Sequence, residues 1–170
     1  QSPDFWKTNI MGSAESRECV VKITNKSKYT LSRPWYCTAS FHIHHQKHLH
    51  SWCWSLFKKT AHRATGAVGV FTYELDADCA DKDVRKVAVM FSVPFDFNFY
   101  ENWFAVGVFD KLRNCDHHLY EEMYYYTQSR FVRGSANGER LTHSDDDVNI
   151  SATMTDTYQP TLAVSKVCLK

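Results

Sequence analysis

Apolar residues recur along most of this chain at the spacing of β-strands. Residues 148–154 (VNISATM) alternate apolar and polar side chains, the pattern of a strand with one face in the core. Residues 84–93 and 103–109 are apolar on both faces, which predicts central strands covered on each side, although short buried helices give a similar pattern. Their β-branched content favours strands. Because turn residues separate such runs about every ten positions, the chain is predicted to be mainly β, a sandwich or barrel.

One segment has the spacing of a helix. Within residues 116–127, Leu119, Met123 and Tyr126 recur at helical intervals, and Tyr120 and Tyr124 form a neighbouring stripe. The aspartate at the first of these positions can cap a helix. We therefore predict one helix at about residues 116–127, flanking the sheets.

The composition is that of a single globular domain. The chain has 170 residues, of which 44% are hydrophobic and 23% charged. We assign residues 1–18 to a short N-terminal segment and residues 19–170 to a β-sandwich domain. Twenty Lys and Arg oppose nineteen Asp and Glu, so a formal charge of +1 gives no field that would attract nucleic acid.

No stretch of the sequence is long and apolar enough for a membrane-spanning helix. The longest apolar run, residues 87–95, contains Ser92 and Pro94 and is far shorter than the roughly 20 residues required. We expect a soluble protein that is secreted or peripheral to membranes, and the compartment stays open. The six cysteines show no CxxC spacing, so neither a zinc ribbon nor a thioredoxin-like motif is indicated.

Three motifs together resemble the actinoporins, the sea-anemone pore-forming cytolysins. They are ATGAVGV at residues 64–70, FSVPFDFNFYENW at residues 91–103 and LYEEMYY at residues 119–125. The resemblance extends over about residues 19–168 and is closest to the actinoporin-like proteins of fish, because the anemone proteins lack cysteine. It implies a β-sandwich flanked by helices, with a phosphocholine pocket and an aromatic cluster that enters sphingomyelin-containing bilayers.

The resemblance also places the binding residues. The family's phosphocholine pocket falls on Val68, Ser92, Pro94, Tyr100, Tyr120, Tyr124 and Tyr125. Its membrane-contact loop falls on Phe97, Phe99, Tyr100 and Trp103, with Phe99 in place of a tryptophan. A further pocket serine falls near Ser40, and the family's Arg-Gly-Asp tripeptide appears here as residues 133–135, with Ser135 in place of the aspartate.

The chemistry of these residue types fits a choline headgroup. A quaternary ammonium has no hydrogen-bond donor, so a site for it must present ring faces, each contributing about 0.5–2 kcal/mol. Tyr120 and Tyr124 are four residues apart and share a helix face. Their hydroxyls and Ser92 could donate to a phosphate oxygen. A tyrosine stripe packed against the sheet is the alternative explanation, and the matched serine–proline motif makes us favour binding.

The N-terminal segment bears on pore formation. Phe5, Trp6, Ile10 and Met11 could form the apolar patch of one short helix. The segment before the sandwich, residues 1–18, is shorter than the roughly 20 residues that span a bilayer as a helix. We expect a membrane-binding, cytolysin-like protein that recognises sphingomyelin and phosphatidylcholine headgroups, self-associates on the membrane and permeabilises it weakly. The alternative is a non-lytic, lectin-like module that recognises lipid or glycan.

No catalytic residue or cofactor is assigned, because the sequence has no nucleophile elbow, phosphate loop or metalloprotease spacing. Residues 41–50 contain five histidines, which a hairpin could gather into a zinc or copper site or a group that becomes charged near pH 6. No carboxylate second shell is evident, so we favour a solvated loop and assign no metal.

Overall fold

The computed structural model describes residues 17–38, 41–43, 48–59, 65–76, 85–145 and 148–168. The strands are β1 (Glu18–Asn25), β2 (Thr30–Thr38), β3 (Phe41–Ile43), β4 (His48–Leu49), β5 (Trp52–Lys58), β6 (Ala67–Asp76), β7 (Arg85–Val93), β8 (Trp103–Asp110), β9 (Phe131–Ser135), β10 (Leu141–Asp145), β11 (Val148–Met154) and β12 (Thr161–Cys168). Among the described residues there is one helix, α1 (His117–Tyr125), which lies between β8 and β9. The fold is therefore mainly β, and the helix predicted at about residues 116–127 is present.

The strands form two six-stranded sheets. The first has the order β10-β11-β12-β1-β5-β3, and the second has the order β4-β2-β6-β7-β8-β9. β1 and β12 pair in parallel, and the other pairs described are antiparallel. The predicted β-sandwich is confirmed.

The main core lies between the two sheets. In β11, Val148, Ile150, Ala152 and Met154 are buried and the residues between them are half-buried. These four side chains belong to one cluster with apolar residues of both sheets. The alternating pattern of residues 148–154 therefore predicted the strand and its inward face correctly.

The central strands of the second sheet are covered on both faces, as their sequences predicted. In β7, Val89 and Phe91 belong to the cluster between the sheets. Met90, on the opposite face, belongs to a second cluster with Leu119 and Met123 of α1. The helix therefore supplies the cover that makes the outer face of this sheet apolar.

The helix begins and ends through local backbone chemistry. The side chain of Asp116 accepts a hydrogen bond of 2.9 Å from the backbone N–H of Leu119, which caps the first turn. Tyr126 has extended backbone angles, and its N–H bonds to the carbonyl of Glu122. The helix consequently ends at Tyr125, slightly before the predicted boundary near residue 127.

The histidine-rich segment and the N-terminal segment lie partly or wholly outside the described residues. β3 pairs with β5 in the first sheet and β4 pairs with β2 in the second, so these strands of the histidine-rich segment do not form a hairpin with each other. Residues 1–16, which include the proposed short N-terminal helix, lie outside the described residues. Within the part of the chain that is described, no helix is both long and apolar enough to cross a bilayer.

Candidate functional site

A row of side chains crosses the outer face of the second sheet at one end of its strands. Ser92 of β7 is directly opposite Val68 of β6 on one side and Trp103 of β8 on the other. Opposed residues of antiparallel strands share a face, so the three side chains lie together. Alternation from Met90, which contacts the helix cluster, places this row on the side of α1.

Two tyrosines of α1 meet this row. Tyr120 and Tyr124 stack with ring centroids 5.7 Å apart and an interplanar angle of 11°. Ser92, which is only 6% exposed, lies near both phenols and lowers the pKa of each. The ring of Tyr125 stands perpendicular to that of Tyr124, at a centroid distance of 4.8 Å. The arrangement offers aromatic faces above a small group of hydroxyls.

Both stacked phenols remain protonated at physiological pH. Burial raises the pKa of Tyr120 to about 12, against a smaller lowering by its hydrogen bond with Ser92. Burial is also the main cause that raises the pKa of Tyr124, and the Tyr125 and Tyr100 phenols add to it. Neutral phenols keep their O–H groups, so each can donate a hydrogen bond to an anionic oxygen.

The loop after β7 forms the rim of the site. Pro94 is buried next to the sheet, whereas Phe99 and Tyr100 are 80% and 62% exposed. Asp96 orders the turn, because its carboxylate accepts from the backbone N–H of Asn98 at 2.9 Å and its carbonyl accepts from the N–H of Tyr100 at 3.1 Å. Two large apolar rings are therefore held in solvent by an ordered turn.

The other two aromatic residues of the predicted membrane-contact loop are half-buried. Phe97 packs edge-to-face on Tyr158, with ring centroids 4.7 Å apart. The Trp103 ring lies beneath the guanidinium of Arg133, 4.2 Å from the ring centroid. The loop therefore has two exposed rings, Phe99 and Tyr100, and two half-buried rings, Phe97 and Trp103.

Comparison with known proteins identifies the family. The sequence profile described as sea anemone cytotoxic protein matches residues 13–162. The chain belongs to the actinoporin family. It is 45% identical over 62 residues to DELTA-actitoxin-Aeq1a of Actinia equina, covering 36% of this chain and 26% of that protein. It is 43% identical over 68 residues to DELTA-stichotoxin-Hcr4b of Radianthus crispa, covering 40% and 35% respectively.

These actinoporin matches span about a quarter to a third of the relatives' length, and both relatives are named as toxins, not as enzymes. Among solved structures, the lipid binding protein Nakanori superposes with a TM-score of 0.67 at 12% identity, covering 96% of this chain and 76% of that one. That likeness supports the actinoporin-like sandwich as a fold.

Arg17, immediately before β1, anchors the rim of the candidate site. Its Nε donates to the carbonyl of Pro94 at 3.0 Å, and its Nη2 donates to the carbonyl of Phe95 at 2.8 Å. Its guanidinium also lies 4.8 Å from the centroid of Phe97 and 4.6 Å from that of Tyr158. One buried cation therefore connects the loop after β7 with the turn before β12.

We expect Arg17→Met to lower the free energy of unfolding by about 2–4 kcal/mol. The substitution removes charged hydrogen bonds and leaves the carbonyl groups of Pro94 and Phe95 without that donor. Urea unfolding measures the change. Arg140→Met is the matched control, because this exposed arginine contacts only Ser151 among the interactions described, at 3.4 Å, and should change stability by about 0.5 kcal/mol or less. Equal effects of the two substitutions would show that the loop is held by other contacts.

Arg133 is a site residue that sequence reasoning did not single out. It belongs to β9, opposite Ala105, and its charge acts on Tyr124 as well as on Trp103. Its Nε is buried and has no hydrogen-bond partner among the described residues. The contacts join separate strands and the helix, so the only sequence signal was its place in the altered Arg-Gly-Asp motif.

Three further sequence features are the pocket serine, the metal site and Tyr126. The proposed further serine, Ser40, lies outside them. No group of three or more His, Cys, Asp or Glu side chains suited to a metal ion occurs within them. Tyr126 was recognised only as part of the helix pattern, and it lies 60% exposed beside the tyrosine cluster.

Proposed function

We propose that this actinoporin family member attaches to membranes by binding phosphocholine headgroups of sphingomyelin and phosphatidylcholine. The site comprises Val68, Ser92, Pro94, Tyr100, Tyr120, Tyr124 and Tyr125. The observation that carries the proposal is the position of Ser92, next to the stacked rings of Tyr120 and Tyr124 and beneath an aromatic rim. Hydroxyl donors next to ring faces match the two charged ends of a zwitterionic headgroup.

In this proposal the trimethylammonium group lies against the rings of Tyr124, Tyr125 and Tyr100. Tyr124 and Tyr125 meet at 89°, so their faces form two walls of a corner. The phosphate accepts hydrogen bonds from Ser92 and the phenol of Tyr120. Arg133 adds positive charge on this side of the sheet, because its guanidinium lies over Trp103 in the same row.

The rim residues Phe97, Phe99, Tyr100 and Trp103 form the proposed membrane contact. Phe99 and Tyr100 are exposed and can enter the interfacial region, where amphipathic and apolar rings are favoured. Phe97 and Trp103 are half-buried and are held by Tyr158 and Arg133 respectively. The domain would act without catalysis, as a cytolysin that self-associates on the bilayer after attachment.

Vesicle sedimentation tests the proposal. We expect binding to vesicles of phosphatidylcholine and sphingomyelin, competition by free phosphocholine, and much weaker binding to phosphatidylethanolamine vesicles, whose headgroup lacks the quaternary ammonium. Equal binding to both vesicle types would contradict headgroup recognition.

Release of an encapsulated dye distinguishes a pore-forming cytolysin from the alternative, a non-lytic lipid- or glycan-binding module.

We expect the affinity for these vesicles to change by about twofold or less when salt is raised from about 0.1 to about 1 M. Cation–π contacts and ring insertion dominate in a chain with a formal charge of +1, and exposed charges are screened over this range. Sedimentation at several salt concentrations measures the slope. A tenfold or greater loss would indicate that a basic surface patch, and not the aromatic site, drives attachment.

A further inference from the structure

Two free cysteines lie together on the outer face of the second sheet, near the start of α1. Cys37 belongs to β2 and Cys115 immediately precedes the cap residue Asp116. Both are half-buried and unpaired. Both also pack against the cluster that joins α1 to the sheet. They are separated by 78 residues in sequence (115 − 37), so only the fold brings them together.

A third residue fixes their proximity. Cys37 is directly opposite Val70 in the β2–β6 pair, where opposed Cα atoms are about 4.5–5.5 Å apart. The Sγ of Cys115 donates to the carbonyl oxygen of the same Val70 at 3.5 Å. The two cysteines also interact electrostatically. Since both lie next to Val70, the two side chains are neighbours on one face of the sheet.

We propose that Cys37 and Cys115 form a redox-active dithiol that reacts with small disulfides, such as oxidised glutathione, to give an intramolecular disulfide. One cysteine thiolate attacks a glutathione sulfur and releases the first reduced glutathione, leaving a mixed disulfide. The other thiolate then attacks the protein sulfur of that bond and releases the second. The two thiol protons end on the two glutathione molecules, so the exchange balances.

The disulfide would join β2 to the residue just before the N-cap of α1, the helix that carries Tyr120 and Tyr124. It closes a loop of about 80 residues, and a cross-link of this length restricts the unfolded chain strongly. We expect oxidation to raise the melting temperature by about 5–15 °C. This inference does not depend on headgroup binding, since it concerns the sulfur atoms alone.

Two of the other cysteines, Cys19 and Cys53, are poor competitors. They lie in the core between the sheets, 0% and 6% exposed, on the far side of the second sheet from α1. Burial raises the pKa of Cys115 to about 11, so the exchange needs long equilibration at neutral pH. The full chain is therefore equilibrated with oxidised glutathione, digested without reduction and analysed by mass spectrometry.

The expected result is one cross-linked peptide pair that contains Cys37 and Cys115, with the melting temperature raised as above. A chain carrying Cys79→Ser and Cys168→Ser should give the same cross-link and the same shift, whereas Cys115→Ser should give neither. The proposal is overturned if both thiols remain open to alkylation, if either pairs with another cysteine, or if a glutathione adduct accumulates without closing to the disulfide.

Discussion

Tyr124→Ala is expected to weaken phosphocholine binding by about 10- to 30-fold. Tyr124 stacks on Tyr120, meets Tyr125 edge-to-face and lies near Ser92, so its removal opens the corner that would hold the trimethylammonium group. Loss of a desolvated cation–π contact costs about 2 kcal/mol, which corresponds to a change of that size in affinity. Isothermal titration calorimetry with free phosphocholine measures it directly.

Two matched substitutions separate the ring from other contributions. Tyr124→Phe keeps the ring and removes the hydroxyl near Ser92, so affinity should fall by about threefold. Tyr126→Ala removes an exposed tyrosine beyond the end of the helix and should leave the affinity for soluble phosphocholine unchanged. Unaltered affinity in a folded Tyr124→Ala protein would sink the assignment of this cluster as the headgroup site.

Gly66→Ala is expected to lower the free energy of unfolding by about 3 kcal/mol, a fall of about 6–12 °C in melting temperature. Gly66 immediately precedes β6, and a Cβ atom there would collide with the backbone carbonyl oxygen of Val93 and contact the backbone of Pro94. Backbone atoms held between two strands cannot yield as a side chain can. This close approach explains the glycine in ATGAVGV and couples it to the loop that bears the site.

Gly134→Ala is the control for that substitution. The added Cβ would lie 3.1 Å from Cδ2 of Leu141, the end of a flexible side chain, so we expect a loss of about 1 kcal/mol or less. Thermal unfolding of both variants provides the comparison. If Gly66→Ala is no more destabilising than Gly134→Ala, the chain before β6 relaxes easily and the close approach is not a constraint on the loop.

The strands and the helix could be predicted because their buried side chains recur at the intervals of a β-strand or of an α-helix. The alternation of residues 148–154 and the apolar run of residues 84–93 each predicted a strand that the structure contains. β7 is apolar on both faces because a helix covers its outer face. The sequence of β7 alone does not reveal which element covers it. The end of α1 at Tyr125 was missed because the tyrosine pattern continues to Tyr126, whereas the backbone becomes extended there.

The assignment of the binding residues came from the motifs, and it remains a prediction. The structure brings Ser92 together with Tyr120 and Tyr124, a juxtaposition that no single segment reveals. Contacts between distant residues, such as Arg17 with Pro94 or Arg133 with Trp103, have no periodic signal and could not be predicted. The proximity of Cys37 to Cys115 could not be predicted for the same reason, because only the fold brings these two residues together.

Mapping of phosphocholine on the protein by two-dimensional NMR tests the central claim most directly. Titration of the isotope-labelled full chain should move the backbone amide signals of Val68, Ser92 and Tyr124 together. Phosphoethanolamine should move them far less, because its primary ammonium is more strongly hydrated. If phosphocholine moves none of these signals, moves instead those of the exposed Trp52 and Trp54 on the opposite sheet, or acts no differently from phosphoethanolamine, the proposed headgroup site is wrong.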